Sequence, residues 1–186
     1  MKTLIITMAA ITAFAACSSN NSSKDKKNTD STIVATAAPV KNNNPSKGIV
    51  KHYLHIKNAL AKDDGKDAAI GGKELSEAFA KFDESSLTAE QKKTYADISA
   101  DAKEHAEHIG MNGDKVAHQR EHFAMLSKDI YDLVKAFGSG QTLYQDYCPM
   151  YNNNNGAIWI SETKDISNPY LGTKMPTCGS VKETIK

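Results

Sequence analysis

The sequence is short of the features that mark a nucleic-acid binder, a hydrolase or a thiol oxidoreductase. Neither sign of charge dominates, since 23 Lys and Arg stand against 22 Asp and Glu. A phosphate-neutralising surface needs a clear basic excess, so nucleic acid is excluded as a partner. There is no Gly-x-Ser-x-Gly elbow and no His-Glu-x-x-His, which removes the common serine and zinc hydrolase arrangements. The Gly71-Gly72 pair lies inside a helical period and lacks a Lys-Ser/Thr ending, so it is no phosphate loop. Cysteines number three, and none sits in the Cys-x-x-Cys spacing usual for redox-active pairs. The chain therefore reads as a binding protein, not an enzyme, with no small-molecule substrate evident.

What is present begins with compartment. Lys2, the apolar run Leu4 to Phe14 and the small-residue step Ala15-Ala16-Cys17 form a secretory signal. The run is too short to cross a membrane as a mature helix. A cysteine directly after two alanines matches a bacterial lipoprotein box, with Phe14 where a smaller aliphatic is usual. Residues 1–16 are thus expected to be a signal peptide and Cys17 the lipidated first residue, anchored in the cell envelope at the periplasmic face of the outer membrane. Ordinary cleavage leaving a free Cys17 thiol is the alternative. Residues 17–47 are Ser, Asn, Lys, Asp and Pro with few large apolar groups, a composition that cannot offset the entropy of ordering, and read as a tether. Residues 48–186 suffice for one domain with one core.

Apolar periodicity in that domain predicts four amphipathic helices. The first carries Ile49, Tyr53, Ile56 and Leu60, widened by Val50 and Leu54, and stops near Asp63-Asp64-Gly65. His52 and His55 on it read as a solvated face. A second, about 67–82, aligns Ala68, Leu75, Phe79 and Phe82, and its paired glycines permit close helix packing. Thr88-Ala-Glu-Gln91 is a capping box that starts the third, whose inward stripe is Tyr95, Ile98, Ala102, His105 and Ile109, with His108 at the neighbouring edge. The fourth, capped by Asn112 or Asp114 and ended by Gly138, turns Val116, Phe123, Leu126, Ile130, Leu133 and Phe137 inward. Short connections favour an antiparallel four-helix bundle. After Gly140, aromatic and β-branched residues flank Asn152-Asn-Asn-Asn-Gly156, predicting a small β-hairpin or a loop.

The chemistry concentrates between Tyr147 and Val181. Cys148-Pro-Met150 and Met175-Pro-Thr-Cys178 place a thioether beside each thiol, and thiolate with thioether is a soft donor set that selects Cu(I) or Ag(I). His118 and His122, spaced i, i+4 with Met125 three residues on, can point to one place. The candidate metal ligands are therefore Cys148, Met150, Met175, Cys178, His122 and His118. A rival reading makes Cys148 and Cys178 a plain disulfide closing a loop of about thirty residues, worth roughly 3 to 4 kcal/mol, with the methionines and Trp159 as packing groups.

Three segments stand out: Tyr53-Leu-x-Ile-Lys-Asn-Ala-Leu, His118-Gln-Arg-Glu-His122-Phe with Leu126-Ser127, and the array Tyr147-Cys-Pro-Met…Gly156-Ala-x-Trp159…Asn168-Pro-Tyr170-x-Gly172…Met175-x-x-Cys178-Gly179. Together they resemble the DUF3347 family of Bacteroidetes-type lipoproteins, whose domain also occurs on the adaptor subunits of heavy-metal efflux pumps. The resemblance spans nearly all of the chain after the tether. It implies an extracytoplasmic role near copper or related metals, with an efflux adaptor or pump as partner. The expected function is soft-metal buffering or delivery to such a system. The alternative is a metal-free, disulfide-stapled interaction module.

Overall fold

The computed structural model describes residues 44–186. The signal peptide, Cys17 and the tether up to residue 43 lie outside the described residues. From Asn44 onward the chain is already docked, with the Asn44 amide donating to the Phe137 carbonyl at 3.2 Å and Ser46 buried.

Each predicted helix forms, for the reasons the spacing supplies. Helix α1, Lys47–Ala61, buries Ile49, Val50, Tyr53, Leu54, Ile56 and Leu60 on one face. It ends where Asp63 takes φ 59°, a left-handed conformation that a short polar side chain tolerates. Helix α2, Gly65–Ala80, opens with the Asp64 carboxylate accepting from the Asp67 amide. The glycine pair does what its position in the apolar period implies. A Cβ at Gly71 would lie 2.9 Å from Ile56 of α1, and one at Gly72 would lie 2.7 Å from the Ala106 carbonyl and the Gly110 amide. Helix α3, Ala89–Met111, begins with both halves of the Thr88/Gln91 capping box in place. Helix α4, Val116–Phe137, ends at Gly138 with φ 74°. Its N-cap is Lys115, which makes no side-chain cap bond, not Asn112 or Asp114. Asn112 instead closes α3, its amide donating to the His108 carbonyl at 2.9 Å.

The domain is mainly helical, with a small three-stranded antiparallel sheet. Consecutive helices pack on each other, and α4 also meets α1. The sheet has strand β1, Leu143–Cys148, at its centre, with β2, Ala157–Ser161, on one side and β3, Ser180–Ile185, on the other. The β1–β2 hairpin matches expectation; β3 does not figure in it. The hairpin turn explains the asparagine run, because Asn152, Asn153 and Asn154 all have positive φ, 52° to 66°, where Asn is the side chain that fits best after Gly. Strand β2 packs on α4 and α1. Here Trp159 and Ile160 are fully buried, and the Tyr53 hydroxyl accepts from the Ile160 amide at 2.9 Å while bonding Ser127 at 2.8 Å.

Candidate functional site

The sheet exists in part to hold one end of a thiol pair. Cys148 ends the central strand and is fully buried, whereas Cys178 arrives from the segment leading into β3 and is half-buried. Their Sγ atoms lie 3.1 Å apart, and both cysteines are free. Asn168 sets the path of that segment. Its side-chain amide donates to the Cys178 carbonyl at 2.6 Å, its side-chain oxygen accepts from the Tyr170 and Leu171 amides, and its own amide donates to the Pro176 carbonyl. Gly179, next to Cys178, has φ 137° and sits so close that a Cβ would lie 2.7 Å from the Trp159 ring. Glycine is needed on both counts.

The two thiols are shifted in opposite directions. Burial pushes the Cys148 thiol up, but bonds from the Cys178 thiol, the Met150 amide, the Asn168 side chain and the Tyr151 amide outweigh it, and the net shift is downward. The Cys178 thiol, donating to Cys148, moves up. Of the two, Cys148 is the one whose thiolate is favoured, the form that binds metal and attacks disulfides. Met150 and Met175 flank it with side chains well exposed, at 49% and 40%.

The segment between β2 and β3 is fastened to the helices by a second set of contacts. Arg120 of α4 donates from Nε to the Pro169 carbonyl at 2.7 Å and from Nη2 to the Leu60 carbonyl at 2.9 Å, and it pairs with Asp63. The other oxygen of Asp63 accepts from the Thr173 amide at 3.0 Å and from the Thr173 hydroxyl. The Thr173 and Arg120 bonds hold the Asp63 carboxyl down at about 2. An acid just past the end of α1 is thus the clasp between α1, α4 and the sulfur-bearing segment.

The histidines assemble elsewhere, with partners the α4 spacing alone does not reveal. His105 and His108 of α3 face His118 and His122 of α4. His105 and His122 approach to 3.2 Å between Nδ1 atoms, His108 stacks on His122 at 4.2 Å, and His118 meets His122 edge-on at 4.6 Å. One ligand atom each from His108, His118 and His122 lies within 4.8 Å of the others, the one group of three or more His, Cys, Asp or Glu donors so placed among the described residues. It contains no cysteine. Of the six candidate ligands read from the sequence, Cys148 and Cys178 meet as a pair with Met150 and Met175 near them in the chain, while His118 and His122 belong to a histidine group that includes no cysteine. Burial first, then the neighbouring His108, His118 and His105, push His122 down to about 4, and burial lowers His105. The two remaining histidines are not simply solvated. His52 bonds Glu74 at 3.0 Å, and His55 bonds Glu74 and Asp67 at 3.1 and 3.0 Å.

Four long helices, a small sheet carrying a close free-thiol pair, and histidines gathered on a helix seam define a mainly helical domain. Within that class, the chain belongs to the family described as Protein of unknown function (DUF3347), whose model matches residues 49–142, just over half of the chain. The match takes in α1 from Ile49 onward and the whole of α2 to α4, with His118 and His122, and ends at the residue before β1. The sulfur array lies beyond it, so the matched span is shorter than the likeness in the tail leads one to expect. No curated protein and no solved structure matches the chain. Among the described residues, no helix is long and apolar enough to cross a membrane.

Proposed function

We propose that this chain is a lipid-anchored, extracytoplasmic metal-binding protein that takes up Cu(I) or Ag(I) at Cys148 and Cys178. In this reading the helices form an antiparallel four-helix bundle that presents the site, and the ion is buffered or handed to an efflux system. It is a binding protein without catalytic activity. One observation carries the reading: two free cysteines thirty residues apart in sequence stand 3.1 Å apart, one of them stabilised as thiolate. Metal–thiolate bonds of about 2.3 Å put two sulfurs on one ion about 4 Å apart, so the pair need open by only about 1 Å. Cys178, the less buried member, can make that move. The thioethers of Met150 and Met175 lie on the chain next to the two thiols and supply the soft donors that complete a three- or four-coordinate site.

The same separation supports a second reading. A disulfide needs about 2.05 Å between sulfurs, so closing by about 1 Å would staple the segment and leave a metal-free interaction module. The exposure of both methionines suits a docking surface equally well. Titration of the reduced protein with Ag(I) decides between them. The metal reading expects one ion per chain, with a thiolate absorption band that Cys148→Ser abolishes. A Cys148–Cys178 disulfide that resists mild reductant, or Ag(I) uptake unchanged by Cys148→Ser, would overturn it.

A further inference from the structure

We propose that the α3–α4 seam carries a metal site of its own, independent of the sulfur pair, in which His108, His118 and His122 bind a borderline divalent ion such as Zn(II) or Cu(II).

The geometry is that of a site already gathered. Three imidazoles around one ion at about 2.0 to 2.1 Å stand about 3.4 Å apart, nitrogen to nitrogen; here they are within 4.8 Å. The outer two rings are accessible enough to turn inwards, with His108 and His118 side chains 38% and 40% exposed. They come from facing helices, the arrangement by which helical proteins build metal centres between helices. The turn from Asn112 to Lys115 brings the end of α3 back against the start of α4 and so sets His108 opposite His118.

Of the proposed ligands, His118 has the carboxylate partner by which ligating histidines fix their second nitrogen, and His108 and His122 each have a polar neighbour on one nitrogen. Glu121 engages His118 at Nδ1, 3.2 Å away, which leaves Nε2 for the ion. Glu104 stands 3.8 Å from His108 Nε2, which leaves Nδ1. His105 contacts His122 at Nδ1, which leaves Nε2. These carboxylates differ from those facing the α1 histidines, where Glu74 of α2 alone binds both His52 and His55 and Asp67 of α2 occupies the second nitrogen of His55. The seam histidines keep one nitrogen each unengaged by a carboxylate. Imidazole without thiolate suits Zn, Cu and Ni, not the ions that two thiolates and two thioethers select. Two sites of different softness on one domain are therefore what the donor sets call for.

The test uses the full chain with Cys17→Ser, Cys148→Ser and Cys178→Ser, which removes the thiols that would reduce Cu(II) and makes failure of the sulfur reading irrelevant to the outcome. Calorimetric titration with Zn(II), and electron paramagnetic resonance with Cu(II), should show one ion per chain with nitrogen hyperfine structure. His118→Gln, exposed and outside the core, should weaken Zn(II) binding at least tenfold, as should His108→Asn, with circular dichroism unchanged. His52→Gln should leave it as it is. Absence of binding in the triple-serine background, or binding that neither His118→Gln nor His108→Asn weakens, would overturn the proposal.

Discussion

Arg120→Ala should cost about 4 kcal/mol of stability and release the sulfur-bearing segment before the helices. Its guanidinium, 15% exposed, serves the Pro169 and Leu60 carbonyls and the Asp63 carboxylate at once. Each hydrogen bond from a charged donor to a carbonyl contributes about 1.5 to 3 kcal/mol, and truncation leaves the Pro169 carbonyl without a donor, while Leu60 keeps its bond from the Asp63 amide at 3.1 Å. The ion pair adds little, at most about 1 kcal/mol, because Asp63 is 36% exposed and rehydrates. Lysine keeps the charge but cannot fork, so Arg120→Lys should recover about half of the loss. Two probes in one urea titration locate the effect. Trp159, the single tryptophan, is buried in β2 and reports the sheet and tail, while far-ultraviolet circular dichroism reports the helices. The fluorescence midpoint should fall at least as far as the helical one. The Asp63 part has its own signature. A carboxyl held at about 2 stabilises the folded state fully above pH 4 to 5, and the contribution fades as pH falls towards 2. Coincident losses below 1 kcal/mol by both probes, or a lysine variant equal to arginine, would refute the clasp.

Asp146 titrates in the opposite sense. It is fully buried with neither oxygen bonded, and burial, with Glu162 adding and Lys57 opposing, pushes its carboxyl up to about 7. Between about pH 4 and 7 the folded state then holds more protons than the unfolded one, so stability falls as pH rises. Asp146→Asn should match the native protein at pH 4 and exceed it by up to about 4 kcal/mol at pH 8; a difference independent of pH would count against this environment. Tyr53→Phe keeps the stack on Phe123 but strips the acceptor from the buried Ile160 amide. A loss of about 1 to 3 kcal/mol by denaturant titration is expected, and under 0.5 would contradict it. Gly179→Ala drives a methyl group into Trp159 and the Tyr147 carbonyl, so Cys178 must shift. Ag(I) affinity should drop at least tenfold, about 1.4 kcal/mol, and an unchanged affinity would show that the position of Cys178 is not critical.

How much of this was legible in the sequence follows from which contacts are local. Apolar period, the Thr88 capping box and Gly138 are written within a few residues of where they act, and four helices and their buried stripes follow from them. Strand β3 carries no such signal, because as an edge strand it exposes Ser180 to Lys182 and alternates weakly. The thiol pair could be anticipated from its parity and its flanking methionines, but the role of Asn168 in closing it could not, since an Asn-Pro step reads as an ordinary turn. Histidine was half-read. His118 and His122 show their shared face by spacing alone, whereas His105 looked like core and His108 like an edge, because the surface they share exists only when α3 folds back on α4. A usable signal was there: His-x-x-His near the end of one helix and His-x-x-x-His near the start of the next, joined by a short turn. Asp63 gave none, for its partners Arg120 and Thr173 are 57 and 110 residues away.

X-ray absorption at the copper edge, on protein loaded with one Cu(I) per chain under reducing conditions, tests the soft-metal reading most directly. It should return a first shell of two or more sulfur neighbours at about 2.3 Å, lost in Cys148→Ser/Cys178→Ser. A shell of nitrogen alone, or copper that fails to stay with the protein while both thiols are free, would contradict it.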